Sequence, residues 1–154
     1  MAQRLKYLVI HCTATPEGRD VGGADIKAWH TSPPPFGRGW SQVGYTDLIH
    51  LDGRVERLVK NNEDAVVDPW EVTNGVKGYN SVSRHIVYAG GCDRAMKPKD
   101  TRTDAQKKAL RHYVLDFHRR FPDVRIVGHH ELNQGKACPS FNVQEWLREI
   151  GVRQ

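Results

Sequence analysis

Short apolar runs of strand length recur along this chain with helix-patterned stretches between them, and that alternation leaves few folds open. Tyr7-Leu8-Val9-Ile10-His11-Cys12 is consistent with a buried strand and stops in the loop residues Thr13-Ala14-Thr15-Pro16-Glu17-Gly18. Ile26, Trp29 and His30 fall at helical spacing inside Asp25–Thr31, a short helix ended by Pro33-Pro34-Pro35. Gly44–Leu51 is strand-like, and Asp52-Gly53 ahead of Arg54-Val55-Glu56-Arg57-Leu58-Val59 is the strongest hairpin signal. Asn61–Asn80 has little periodicity and reads as a long connection, a kind of segment that often carries function. Val82–Ala89 is another strand, closed by Gly90-Gly91.

The second half is patterned more sharply. Thr103 and Gln106 form a capping box that opens a helix with Ala109, Leu110, Tyr113, Val114, Phe117 and Phe121 on one face, and Pro122 stops it. Arg125–His129 is the last strand, and Val143–Ile150 is a short terminal helix. The sum is an α/β chain: one domain over residues 1–154, with a central mixed sheet of about five strands flanked by helices.

In open sheets of this kind, ligands gather at the carboxyl ends of the strands. His11 lies at the carboxyl end of the first strand and His129 at that of the last. If those strands are neighbours, both imidazoles face one crevice. Cys138 follows in the loop that also carries Lys136, and Pro139 biases Cys138 towards an extended backbone. Two imidazoles and a thiolate suit Zn2+ and leave a tetrahedral ion one open position, which argues for catalysis, since structural sites normally close with four ligands. A lysine beside them is a ready partner for developing negative charge.

The neighbouring residues read more plainly. Side chains alternate along a strand, so Cys12 faces away as a small buried hydrophobe, and His130 is a groove residue or supports a ligand. His130-Glu131-Leu132-Asn133-Gln134 begins like the helical zinc-protease motif, but Gln134 stands where a second histidine is required. His112 and His118 read as solvated, His30 as packing or capping, and His50 and His85 as satisfied strand histidines.

Composition bounds the partners. The net charge of +5 favours an anionic polymer or surface, but it is spread along the chain with no basic tract. That spread, and the absence of a ββα-type metal loop, set aside a nuclease and leave no expectation of nucleic-acid binding. No facing carboxylate pair suggests a glycosidase. Three cysteines, Cys12, Cys92 and Cys138, do not make a disulfide framework. No apolar run is long enough for a transmembrane segment and no signal peptide is visible, so a cytoplasmic monomer as synthesised is expected.

Taken together, Ile10-His11-Cys12-Thr13-Ala14-Thr15, Ile26 to Trp29-His30, Val43-Gly44-Tyr45, Lys77-Gly78-Tyr79-Asn80, Gly90-Gly91, the capping box and Lys136-Ala137-Cys138-Pro139-Ser140-Phe141 carry a resemblance. In this order they resemble the type 2 zinc-dependent N-acetylmuramoyl-L-alanine amidases, most of all the small phage lysozyme-type amidases related to peptidoglycan recognition proteins. The resemblance implies a hydrolase that cleaves the amide between the lactyl group of N-acetylmuramic acid and L-alanine in bacterial peptidoglycan. It implies His11, His129 and Cys138 as zinc ligands, and Tyr45 and Lys136 as the two residues that assist catalysis. Such an enzyme would reach the cell wall after release or export by another route. The alternative is a non-catalytic peptidoglycan-recognition module, against which the presence of Cys138 weighs. The chain departs from the family pattern at Thr46-Asp47, where the family often has His after the tyrosine and then an apolar residue. It departs again at Gly75-Val76, where the family tends to place a histidine; both changes are expected in or near the groove.

Overall fold

A computed structural model describes residues 1–154. The first apolar run is strand β1, Tyr7–Cys12, followed by helix α1, Gly23–Thr31. Strands β2, Asp47–Ile49, and β3, Val55–Arg57, pair antiparallel across the expected Asp52-Gly53 turn, where Gly53 adopts a φ of 87° that a side chain would strain. Strand β4, Ser83–Tyr88, precedes the long helix α2, Asp104–Arg120; strand β5, Arg125–Gly128, leads into helices α3, His129–Leu132, and α4, Val143–Glu149. The five strands form one mixed sheet in the order β3-β2-β4-β1-β5, parallel except for the hairpin edge. This is the expected α/β architecture. No helix is long and apolar enough to cross a membrane.

Three boundaries differ from the sequence reading, each for a local reason. The second strand starts at Asp47, not Gly44, because the Gly44 amide donates to His30 Nδ1 (2.9 Å) and not to a ladder partner. The last strand ends at Gly128, whose amide donates to Glu131 Oε2 (2.6 Å); the chain turns there, so His129 opens a short helix and is not a strand residue. The connection from 61 to 80 holds a short pairing of Val66–Val67 with Gln3–Arg4 and a 3-10 turn, Pro69–Glu71, and runs into a second, Asn80–Val82.

Alternation along the strands divides the sheet into two buried faces. Leu8, Ile10, Cys12, Ile86, Tyr88 and Ile126 pack against Leu110, Val114 and Phe117 of α2 and Trp146 and Leu147 of α4 in the largest apolar cluster. The capping box forms as expected: Thr103 Oγ1 accepts from the Gln106 amide (3.0 Å) and Gln106 Oε1 from the Thr103 amide (2.9 Å). The fully buried Gln106 also donates to the carbonyls of Ala89 (2.9 Å) and Ile49 (3.3 Å), which ties the start of α2 to the carboxyl ends of β4 and β2. Asp47, expected near the groove, is buried on this helix-covered side instead. It accepts hydrogen bonds from Arg57 Nε (2.6 Å) and the Tyr113 hydroxyl (2.7 Å), so its charge is spent on packing α2 to the hairpin. On the opposite face Val87 and Leu48 meet Ile26 of α1, while Val9 and Val127 meet Val76. His11 and His85 point to that opposite face.

Candidate active site

Sheet register brings the histidines together. β1 lies between β4 and β5, with His11 opposite Val87 and Ile10 opposite Gly128. One residue beyond Gly128, His129 therefore comes level with His11, and their ring centroids are 4.8 Å apart. Cys138 returns to the same point: its Sγ lies 3.7 Å from His11 Nδ1 and accepts the Cys12 amide hydrogen at 3.2 Å. One donor atom from each of His11, His129 and Cys138 lies within 4.8 Å of the other two, a group able to hold a metal ion, and the imidazole and thiol chemistry is that which zinc prefers.

The site is built from uncharged imidazoles. Burial, reinforced by repulsion from His85, His129 and His30, drives the His11 pKa far below the ordinary histidine value. Burial and then the Lys136 ammonium lower that of His129. Burial pushes His85 down to about 3, and burial with Arg38 puts His30 at about 4. Neutral imidazole is the form that offers a lone pair to a metal. Hydrogen bonding with the Cys12 thiol, followed by burial, holds the Cys138 thiol protonated in the metal-free chain.

A cleft of ≈ 450 Å³ opens beside this cluster. Tyr45, His129 and Lys136 line it, together with Arg38 and Lys77, and no carboxylate does. The Tyr45 ring sits 5.0 Å from that of His11 and 5.3 Å from that of His30, and burial raises its phenol well above the ordinary value. All five residues singled out from the sequence, His11, His129, Cys138, Tyr45 and Lys136, thus lie in or against one site.

Other expectations fare unevenly. Cys12 is a buried core residue as expected, although its thiol also contacts the Ser140 hydroxyl (3.8 Å). His130 braces the Cys138 backbone: its amide donates to the Cys138 carbonyl at 2.9 Å and its Nδ1 lies 3.1 Å from the same oxygen. Beyond the residues singled out in the sequence, Trp40, Gly78 and Asn80 line the cleft, while Phe36 is 86% exposed outside it and Tyr79 packs edge-on against Tyr7. His118 is half-buried on α2, not solvated, because it lies close to the helix's apolar face. His85 is more than a satisfied strand histidine: its Nδ1 is 2.8 Å from Nε2 of His11. The available signal was its even spacing from Val87, the residue opposite His11, which puts His85 on the same face.

An α/β sheet that gathers imidazoles and a thiol able to hold a metal at its carboxyl edge, beside a cationic cleft, is an arrangement suited to metal-assisted hydrolysis. The family described as N-acetylmuramoyl-L-alanine amidase matches residues 1–141, and the chain belongs to it. It is 35% identical over 146 residues to the endolysin of Enterobacteria phage K11, covering 95% of this chain and 87% of that one. The endolysin of Escherichia phage T7 is 33% identical over 139 residues, covering 90% and 83% respectively. Among solved structures, the Ph2119 endolysin from Thermus scotoductus MAT2119 bacteriophage Ph2119 superposes with a TM-score of 0.73 at 27% identity, over 98% of this chain and 87% of that one. The chain is a peptidoglycan amidase, which decides for the enzyme over the recognition-only alternative.

Proposed function

We propose that this amidase is a zinc enzyme, that His11, His129 and Cys138 hold the ion, and that the bond cut joins the lactyl group of N-acetylmuramic acid to L-alanine. The observation that carries the reading is the convergence of those three donors within 4.8 Å at the edge of a cleft. Zinc, when bound, supplies Lewis acidity and lowers the pKa of water from about 15.7 towards about 7.

The chain's own groups do the rest. Lys136 brings an ammonium to the cleft wall, where it favours the negative charge that grows on the amide oxygen only as the reaction proceeds. The Tyr45 hydroxyl keeps its proton because burial disfavours the phenolate, so it acts as a hydrogen-bond donor to the amide nitrogen as the amine departs. Arg38 and Lys77 give the cleft a cationic rim suited to the carboxylates of the stem peptide.

The test is digestion of purified peptidoglycan with and without a chelator, read by mass spectrometry. The expected products are uncut glycan strands and free stems beginning with L-alanine, lost on chelation and restored by zinc. Cleaved sugars, stems cut within the peptide, or indifference to the chelator would overturn the reading.

A further inference from the structure

His11 can hold a metal through Nδ1 only if its single ring proton sits on Nε2. The structure contains a chain of contacts that decides this, and it starts from a group whose proton cannot move. The Val76 backbone N–H donates to Asn80 Oδ1 at 2.8 Å, which fixes the oxygen end of that amide. The same oxygen lies 3.1 Å from His85 Nε2, so His85 must carry its proton there to donate. In a neutral imidazole the other nitrogen is then bare, and His85 Nδ1 faces His11 Nε2 at 2.8 Å. His11 therefore keeps its proton on Nε2 and presents the lone pair of Nδ1 towards Cys138 Sγ. Both rings are fully buried, so water offers no competing partner.

A second, independent feature belongs to the same arrangement. A side chain on residue 75 would collide with the His85 ring, its nearest contacts being Nδ1, Cγ and Cε1. Gly75 leaves the volume that His85 fills. Its φ lies outside the left-handed region, so a backbone that needs glycine does not explain the residue.

We propose that His85, anchored by Asn80 and given room by Gly75, is a positioning residue that fixes the tautomer and ring orientation of His11 for metal binding. It touches neither substrate nor the reacting atoms, and acts through His11. The inference rests on His11 being a metal ligand, and two readouts keep the claims apart.

The first readout needs no metal. Nitrogen NMR of the metal-free protein in mildly alkaline buffer should show His11 protonated on Nε2 in the wild type and as a mixture of tautomers in His85→Leu. The second is zinc affinity by chelator competition. His85→Leu should bind zinc about 10–100-fold more weakly, the range typical for lost partners of metal-binding histidines. His85→Asn, which keeps an acceptor near the Nδ1 position, should recover most of the loss. Gly75→Ala should weaken zinc in the wild type but add little in a His85→Ala background, where the ring it displaces is gone. That double substitution also guards against a variant that fails through folding. Wild-type protein that binds no zinc would sink the ligand assignment and this inference with it. Wild-type zinc affinity in folded His85→Leu, or His11 protonated on Nδ1, would sink the positioning role alone.

Discussion

Two buried histidine clusters sit on one sheet and are built in opposite ways. At the carboxyl edge of β1, His11 bonds to His85 and His85 to an amide oxygen, and His129 stands beside them without a carboxylate in the cleft. At the carboxyl end of β2, His50 is just as buried but is bracketed by acids: Asp20 Oδ2 lies 3.1 Å from Nδ1, and Glu56 Oε1 lies 2.8 Å from Nε2. The first group leaves a lone pair and a thiol pointing at common space. The second uses both ring nitrogens to fasten the loop before α1 to the hairpin. Partner charge separates the two roles: a histidine among neutral partners stays available to a cation, and one between carboxylates becomes a structural clamp.

The comparison can be broken in several places. The largest effect is expected from Cys138→Ser, which should abolish hydrolysis and lower the zinc-to-protein ratio; an unchanged ratio by elemental analysis would mean the donor set is wrong. Lys136→Ala should reduce kcat by about 10²–10³-fold, the scale of losing one group that stabilises an oxyanion, with zinc content intact. Full activity would remove Lys136 from the mechanism. His50→Leu should act on the other side of the comparison, lowering stability by about 1–3 kcal/mol in denaturant unfolding while zinc affinity stays at the wild-type value. A weakened zinc site in that variant would show that the two clusters are not separate.

The smallest effect is one of pH. Hydrogen bonding with His50 holds the Glu56 carboxyl below its usual value. For Asp20, burial pulls upward but is outweighed by the Leu51 amide and His50, so its value is lowered too. A carboxyl whose pKa is depressed by folding contributes stability above its unfolded value, about 3.9 for Asp and 4.3 for Glu, and loses it as pH falls through the lower folded value. The thermal-midpoint advantage of the wild type over His50→Leu should therefore shrink below about pH 4. An advantage independent of pH in that range would mean the carboxylates contribute nothing.

Much of the fold was legible because local signals agreed with the final packing. The Thr103–Gln106 box, the Asp52-Gly53 turn and the apolar face of α2 each depend on neighbours in sequence. The candidate metal group was legible for a related reason: histidines at or just past the carboxyl ends of two strands face one crevice once the sheet order is guessed. What escaped depends on contacts between distant residues. No local pattern reveals that Asp47 is claimed by Arg57 and Tyr113, or that His85 faces His11 across the β1–β4 pairing. Gly75 read as a departure from a family pattern; its meaning becomes visible only when the His85 ring is seen in the space a side chain would need. The end of β5 was misplaced by one residue because a helix start so close to a strand end leaves too few residues to show a change of period.

The most direct test of the central claim is X-ray absorption at the zinc edge of the zinc-loaded protein. One sulfur with two imidazole nitrogens, and light oxygen completing the shell, is the expected result. A shell without sulfur, or one closed by four protein donors, would contradict it.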